Sequence, residues 1–233
     1  MKRILLSALL LLAVATTAAA VELKSEGRDA SYVETILKRS QKIVDRLGIA
    51  DAATAETVRN IIANRYFELN DIYEERDRRL AAVKEQGLEG EAKRAATEQA
   101  GCEADSKLYR SHFAFPAALA IYLTPEQVEG VKDGMTYGVL EVTYTATLDM
   151  IPSLTDEEKA QIRAWLTEAR ELAMDAENSN KKHGVFGKYK GRINNYLAQR
   201  GYDLTAERAA WYKRIEARKQ AEQKAGQQAE QKQ

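Results

Sequence analysis

The sequence predicts an all-α fold, a multi-helix bundle whose N-terminal half contains a long antiparallel helical hairpin. Only three prolines occur among 233 residues, all of them between positions 116 and 152, and proline is the residue that most strongly interrupts a helix. Apolar side chains recur at the three- and four-residue spacing of amphipathic helices. Only one short segment also fits a strand, so a helical pattern extends over most of the chain.

The N-terminal half contains three amphipathic segments in succession. They span approximately residues 32–47, 54–86 and 91–115. Glycines follow the first and second segments, as expected at helix ends. The second segment would be roughly 50 Å long at 1.5 Å per residue. Because the third segment should run back along the second, a helical hairpin is the expected arrangement.

Capping boxes mark two helix starts in the middle of the chain. Thr124 precedes Pro125, with Gln127 three residues after the threonine, and Thr155 precedes Glu158 by the same spacing. In such a box, side chains satisfy backbone N–H groups that have no partner in the first helical turn. Helices should therefore begin directly after both threonines. The second helix should have one apolar face, formed by Ile162, Trp165, Leu166, Ala169, Leu172, Ala173 and Ala176.

Residues 137–151 fit two alternatives. Apolar side chains alternate with polar ones from Leu140 to Met150, as in a strand. A three- and four-residue apolar spacing from Val139 to Ile151 fits a helix equally well. An isolated strand would leave its backbone groups unpaired, so we favour the helix and keep the strand as the alternative.

The first 20 residues have the pattern of a secretory signal peptide. Lys2 and Arg3 precede an apolar run that ends near Val14, and Ala18 and Ala20 are the small residues before an expected cut after Ala20. The apolar run is shorter than a comfortable bilayer span. We therefore expect a periplasmic or secreted protein with no membrane span in the mature chain.

The rest of the chain should form a single helical domain over residues 21–212, followed by a polar, frayed or disordered tail over 213–233. Acidic and basic side chains are equal in number, so no general basic field favours nucleic acid as a partner. Cys102 is the only cysteine, which excludes an intramolecular disulfide. In its alanine-rich setting, we expect Cys102 to be a small buried side chain rather than a reactive thiol.

Residues 183–202 concentrate basic, amide, aromatic and glycine residues more than any other segment. On a helix they form an apolar-aromatic face (Tyr189, Ile193, Tyr196 and Leu197), a polar face (Lys188, Arg192, Asn195 and Gln199) and a glycine strip (Gly184, Gly187 and Gly191). Glycine costs roughly 1 kcal/mol inside a helix relative to alanine. The glycines therefore suggest close helix packing or close approach of a ligand. Gly201 should end the helix, with Tyr202 folding back on Leu197.

The polar face of this segment suggests a ligand site. Lys, Arg and Asn side chains donate hydrogen bonds that suit carboxylate or hydroxyl groups, and tyrosines can stack on sugar rings. A solvated polar face with tyrosines covering the core is the alternative. The candidate ligand-binding residues are His183, Lys188, Tyr189, Lys190, Arg192, Asn194, Asn195 and Tyr196.

The sequence contains no recognisable catalytic or cofactor motif. His183 should lie near a helix start, and His112 shares a helical face with Leu108 and Phe115, which favours a position at the edge of the core. Neither histidine belongs to a metal-ligand spacing, and no P-loop, dinucleotide fingerprint or nucleophile elbow occurs. We therefore expect no metal and no cofactor.

Three stretches of sequence carry a resemblance to a known family. They are residues 131–138, residues 169–175, and residues 186–197 followed by Gly201–Asp203. Together they resemble a family of exported bacterial proteins known only as a domain of unknown function. The resemblance implies a genomic context of polysaccharide degradation, including pectin-like acidic glycans, and implies no reaction. Separately, Leu123–Gln127 resembles a short motif of small periplasmic helical chaperones. A second stretch later in the chain has the same spacing, but it has Glu158 where the motif has glutamine.

The leading hypothesis is an exported helical protein that binds an acidic glycan fragment or a protein of a polysaccharide-utilisation system. The first alternative is a lyase-like enzyme on acidic polysaccharide. In it, His183 or Tyr189 would remove a proton, and Arg192 or Lys188 would neutralise the substrate carboxylate. The second alternative is a periplasmic chaperone-like or structural interaction protein. At this stage, whether any reaction is catalysed stays open.

Overall fold

The computed structural model describes residues 21–230, and in that range the chain forms nine helices and no strand. The helices are α1 (Ala30–Val44), α2 (Ala52–Glu85), α3 (Gly90–His112), α4 (Ala114–Leu119), α5 (Pro125–Met135), α6 (Val139–Met150), α7 (Asp156–Met174), α8 (Ser179–Gln199) and α9 (Leu204–Glu230). The predicted all-α fold class is confirmed. The signal peptide predicted at residues 1–20 lies outside the described residues.

Both predicted capping boxes are present. The Thr124 hydroxyl accepts a hydrogen bond from the Gln127 N–H at 3.3 Å, and the Gln127 side chain accepts one from the Thr124 N–H at 3.0 Å. The corresponding distances between Thr155 and Glu158 are 3.2 and 2.9 Å. These four bonds satisfy backbone donors that a helix start leaves free. Helices α5 and α7 therefore begin at the residues expected from the sequence.

The ambiguous segment 137–151 is mainly helix α6. Tyr137 and Gly138 precede it with φ angles of 61° and 67°. This left-handed pair turns the chain sharply between α5 and α6, a conformation that glycine adopts easily and tyrosine rarely. The Val142 N–H then bonds to the Gly138 carbonyl and starts the helix. The helix, rather than the strand, was therefore the correct alternative.

Helices α2 and α3 pack against each other along much of their length. Arg65, in the first half of α2, donates a hydrogen bond to Ser111 near the end of α3 at 2.7 Å. Arg79, near the end of α2, forms an ion pair with Glu103 further back in α3. Later residues of α2 thus meet earlier residues of α3, so the two helices run in opposite directions.

Two apolar clusters form the core. The first comes mainly from α1, α2, α4 and α5 and includes the fully buried Ile62, Phe67 and Leu119. The second comes mainly from α6, α7 and α8 and includes Ile162 and Phe186. Burial of one large apolar side chain contributes about 1.5–3 kcal/mol, so these clusters are the main source of stability. The assignment of residues 21–212 to a single domain stays a prediction.

Buried arginines link elements of the two clusters. Arg65 of α2 donates to Asp175, which follows α7, at 2.7 Å. Arg170 of α7 donates to Asp133 of α5 at 2.8 Å. The two arginine side chains are only 1% and 4% exposed. Because a buried charge is stable only when it is paired, these bonds fix how α7 sits against α2 and α5.

Two predicted burials are wrong. Cys102 is exposed, because only Ala100 and Ala104 of α3 are buried and Cys102 lies about 200° around the helix from each of them. Leu172, predicted on the apolar face of α7, is 54% exposed. It faces a surface cleft between α7 and α3 rather than the core.

The last helix contacts the end of α6. Trp211 donates its indole N–H to Asp149 at 2.6 Å, and Arg218 pairs with the same carboxylate at 2.7 Å. Arg214 donates to the carbonyls of Asp149 and Met150, which a helix end would otherwise leave free. The expected tail start at residue 213 thus falls inside α9, and contacts with α6 continue to Arg218.

Candidate functional site

Helix α8 contains all eight predicted ligand-binding residues. Its start is capped by Asn178, whose side chain accepts a hydrogen bond from a backbone N–H of the first turn at 3.1 Å. The helix therefore begins at Ser179, one turn before the expected start near His183. Asparagine is among the preferred residues at this position because its side-chain oxygen satisfies such a donor.

The other end of α8 closes as the sequence predicts. Gly201 has a φ of 94°, and the Tyr202 N–H bonds to the Leu197 carbonyl at 3.1 Å. This is the Schellman geometry, which needs a residue that tolerates the left-handed region. Buried Phe186, Ile193 and Leu197 fix the inner face of α8 on the second apolar cluster. The outer face is therefore held in a defined position.

The outer face of α8 meets α7 in an open depression of about 590 Å³, which we call the α8 depression. The residues that line it are Trp165, Lys188, Gly191, Arg192, Asn195, Tyr196 and Gln199. The polar row predicted from the sequence lies entirely within this set. The row therefore borders a wide, open depression, and all four of its polar side chains are exposed there.

Aromatic rings hold Arg192 in place at the α8 depression. Its guanidinium carbon lies 5.2 Å from the centre of the Trp165 ring and 5.7 Å from that of Tyr189. Trp165 packs edge-on against Tyr196, with ring centres 5.1 Å apart. The Arg192 side chain is nevertheless 53% exposed. The guanidinium can therefore still reach a ligand, although one of its N–H groups already donates to Glu168 at 3.4 Å.

Four of the predicted residues, His183, Tyr189, Lys190 and Asn194, do not line the depression. Lys190 and Asn194 are exposed on other sides of α8. His183 stacks on Tyr137, with ring centres 5.6 Å apart and 14° between the planes. At 1.5 Å per residue, His183 lies about 13 Å from Arg192 along the helix axis. The structure therefore separates His183 from the basic row.

Tyr189 borders the depression through its contact with Arg192. Burial, together with a hydrogen bond to Glu168, raises the pKa of Tyr189 to about 12. A phenol with such a pKa stays protonated near neutral pH, so it can donate a hydrogen bond but is poorly suited to removing a proton. Tyr189 is thus a packing residue at the edge of the site.

The suggestion that the glycines of α8 allow a close helix contact is wrong. Apart from the adjacent residues and the backbone of α8 itself, a Cβ atom added at Gly184, Gly187 or Gly191 would meet no atom of the described structure within 4 Å. By contrast, a Cβ at Gly134 of α5 would lie 2.9 Å from side-chain atoms of Ile43. Close helix packing therefore occurs at Gly134, where α5 crosses α1, and not along α8.

Replacing Gly187 with alanine should raise the free energy of unfolding by roughly 0.5–1 kcal/mol, because the helix is regular there and the added methyl has space. Chemical denaturation with urea measures this change. The matched comparison is Gly134→Ala, which should lower stability because the methyl would press on Ile43. Stabilisation by both substitutions, or by neither, would contradict this account of α8.

Trp165 is the site residue that sequence reasoning missed. Its position among Ile162, Leu166 and Ala169 placed it on the apolar face of α7, and it does pack at the edge of the second cluster. The side chain is only partly buried. Tryptophan has a large apolar body and one polar N–H group, so it commonly occupies such boundaries. This property of tryptophan was the one signal in the sequence that could have indicated a site residue at position 165.

A second concavity, the His112 cleft, lies between α3 and α7 and has a volume of about 510 Å³. The Nδ1 atom of His112 lies 2.7 Å from Asp175 Oδ2, and its Nε2 atom lies 3.8 Å from Glu171 Oε2. The expected position at the core edge agrees with a side-chain exposure of 17%. The carboxylate partners could not be foreseen, since Asp175 follows 63 residues later.

Neither concavity shows the geometry of a metal site. Among residues 21–230, no group of three or more His, Cys, Asp or Glu side chains is arranged to hold a metal ion. In the same part of the chain, no helix combines the length and the apolar character that crossing a bilayer requires.

The fold and the site together define an all-helical protein with a shallow basic-aromatic depression on its surface. The sequence profile of one family matches residues 33–217, and its description is "Protein of unknown function (DUF3826)". The match covers well over half of the chain, so the protein belongs to this family. No curated protein matches the sequence significantly.

Proposed function

We propose that the protein binds an acidic glycan fragment at the α8 depression. The proposal rests on the position and exposure of Arg192. Two aromatic rings contact its guanidinium, yet about half of the side chain stays exposed. A guanidinium held in this way can receive a carboxylate through two parallel hydrogen bonds. Little conformational freedom would be lost on binding, because the side chain is already oriented.

The charges around Arg192 favour an anionic ligand. Lys188 adds a second positive charge and forms no ion pair with any residue of the described chain. Glu168 approaches Arg192 at 3.4 Å, and both side chains are more than half exposed. An exposed pair of this kind contributes at most about 1 kcal/mol. A ligand carboxylate can therefore replace Glu168 at small cost.

The remaining lining suits the hydroxyl groups of a sugar. Asn195 and Gln199 place side-chain amides, each with a donor and an acceptor, beside the basic pair. Gly191, one turn before Asn195, has no side chain, so a ring can approach the helix backbone there. The open shape fits a segment of an oligosaccharide better than a small ligand that needs full enclosure. Export, inferred from residues 1–20, is part of the same proposal.

Binding is preferred over cleavage because neither base predicted from the sequence, His183 or Tyr189, is suited to remove a proton beside Arg192. His183 contacts Tyr137 instead, and the raised pKa of Tyr189 opposes proton removal. The chaperone-like alternative gains nothing from the Thr124 motif, since the hydrogen bonds of Thr124 and Gln127 are those of a capping box. A non-catalytic glycan-binding role, within a polysaccharide-utilisation system, therefore fits the α8 depression best.

Calorimetric titration with oligogalacturonides should detect binding to the unmodified protein, and neutral oligosaccharides of equal length should bind at least about tenfold more weakly. Gly191→Ala should weaken binding by about tenfold, because its methyl projects into the depression. Gly187→Ala is the matched control, since it changes the same helix in the same way outside the lining. It should leave the affinity unchanged.

Three results would refute the proposal. The first is a complete lack of binding by acidic oligosaccharides. The second is equal affinity for acidic and neutral ligands, which would exclude a role for the basic pair. The third is equal affinity of the Gly191→Ala and Gly187→Ala variants, which would place the ligand elsewhere. Release of unsaturated sugar ends, followed by absorbance, would instead support the lyase-like alternative.

A further inference from the structure

The His112 cleft has the dimensions of a small-molecule site. Its volume of about 510 Å³ lies within the range of roughly 300–1,000 Å³ that is typical of ligand pockets. It is separate from the α8 depression, with which it shares no lining residue. Its walls come from α2, α3, α7 and α8, and buried Arg65 ties α2 to the end of α3 and to Asp175, which follows α7.

Exposed apolar side chains are concentrated at this cleft. Seven large hydrophobic residues are clearly exposed in the described chain, and three of them line it: Tyr109 at 71%, Phe113 at 63% and Leu172 at 54%. Tyr109 and Phe113 meet edge to face with ring centres 5.8 Å apart. Clustered exposed apolar groups generally mark a binding surface. The body of a ligand for this cleft should therefore be apolar.

The charged groups of the cleft are almost all acidic. Asp105, Glu171 and Asp175 line it, and no lysine or arginine of the described chain does. Glu171 and Asp175 have buried cationic partners behind the wall, Arg170 at 3.2 Å and Arg65 at 2.7 Å. Asp105 is exposed and has no ion pair in residues 21–230. The cleft therefore attracts a cation and repels an anion.

The ring of His112 lines the same space. Its Nδ1 atom lies 2.7 Å from Asp175 Oδ2, so Nδ1 carries the proton of that hydrogen bond. In the neutral ring, Nε2 is then an acceptor. Glu171 Oε2, also an acceptor, lies 3.8 Å away, which is too far for a direct hydrogen bond. An ammonium group has three donors and can bridge these two atoms.

We propose that the His112 cleft binds a small organic cation that has an aromatic body and an ammonium head, an arylalkylammonium ion. The head lies between His112 Nε2 and Glu171, near Asp105, and the ring packs on Tyr109, Phe113 and Leu172. The aromatic faces add cation–π attraction to the carboxylate charge. This ligand class is opposite in charge to the acidic glycan proposed for the α8 depression.

Calorimetric titration of the full chain with 2-phenylethylammonium tests the proposal directly. We expect saturable binding, at least about tenfold weaker binding of 2-phenylethanol, and no binding of phenylacetate. Asp105→Asn and Phe113→Ala, both at exposed positions, should each weaken binding by about fivefold or more. The matched control is Glu98→Gln, which removes an exposed carboxylate of the same helix outside the cleft.

The titrations separate results that support binding at the His112 cleft from results that overturn it. Loss of affinity in both cleft variants, with none in the Glu98→Gln variant, supports the site. The proposal is overturned if 2-phenylethylammonium does not bind at about 5 mM, if phenylacetate binds equally well, or if the two cleft variants bind like the control. Thermal unfolding of each variant establishes that it is folded before it is titrated.

Discussion

Replacing Arg170 with alanine should lower the free energy of unfolding by about 3 kcal/mol, a larger loss than we expect from any other charged side chain of α7. The Arg170 side chain is 4% exposed. It bonds to Asp133 at 2.8 Å, to Glu171 at 3.2 Å and to Glu129. Removal of the arginine therefore leaves three carboxylates close together; Lys132 still pairs with Glu129 and Glu171, but Asp133 loses its one ion-pair partner among the described residues.

The size of the stability loss expected for Arg170→Ala follows from how exposed the carboxylates that pair with Arg170 are. Breaking a fully buried ion pair costs about 3–5 kcal/mol. Glu129 and Asp133 are 48% and 29% exposed, so water recovers part of the loss and the lower end of the range applies. The melting temperature should fall by roughly 6–12 °C, given the usual dependence for a domain of this size.

The matched control for Arg170→Ala is Arg163→Ala. Arg163 lies on the same helix, two turns earlier, and forms an ion pair with Glu141 in which the side chains are 42% and 50% exposed. A surface pair of this kind should contribute less than about 1 kcal/mol. Urea denaturation of the two variants measures the difference. Similar losses in both would show that the buried arginine does not hold α5 and α7 together.

Lys182→Met should change how stability depends on pH. Lys182 is only 5% exposed and donates a hydrogen bond to the Met174 carbonyl at 2.9 Å. Burial lowers its pKa from 10.5 to about 8; Asp175 opposes this effect, and Arg39 and Arg65 add to it. The folded protein thus destabilises the charged form of this lysine, which the unfolded chain solvates freely.

The sign of the effect follows from proton binding. Between pH 8 and 10.5 the unfolded chain keeps the Lys182 proton while the folded protein releases it. Stability rises with pH wherever the unfolded state binds more protons. Below pH 8 both states are protonated, and the full cost of the buried charge is present. From pH 7 to pH 10, the unmodified protein should therefore gain roughly 2–3 kcal/mol relative to Lys182→Met.

Urea denaturation at several pH values measures this gain. The difference between the unmodified protein and Lys182→Met should increase steadily above pH 8. Lys181→Met, at the exposed neighbouring position, provides the reference profile for the loss of a lysine from the same helical turn. A difference that does not vary with pH would mean that Lys182 is solvated in the folded protein.

Local features of the fold were predictable from the sequence. The capping boxes at Thr124 and Thr155 and the closure at Gly201 depend on residues a few positions apart. Their geometry is therefore encoded within one helical turn. For the same reason, helical spacing alone placed Lys188, Arg192 and Asn195 on one face of α8.

Features that depend on distant segments were not predictable. Arg65 meets Asp175 across 110 residues, and no sequence pattern indicates which of many carboxylates an arginine will reach. The exposure of Leu172 and the role of Trp165 depend on where neighbouring helices leave a gap. The glycines of α8 have the composition of a close-packed strip, yet no helix among residues 21–230 packs on them. Periodicity identifies a face, but it does not identify what covers that face.

The most direct test of the central claim uses Trp165 as an internal reporter of the α8 depression. The chain has two tryptophans, so Trp211→Phe leaves Trp165 as the only one. Oligogalacturonide should change its fluorescence with a saturable dependence on concentration. In this background, Lys188→Ala should shift the midpoint about tenfold higher, whereas Lys190→Ala, outside the depression, should not. An emission that does not respond to acidic glycan, or equal midpoints for the two lysine variants, would contradict the account.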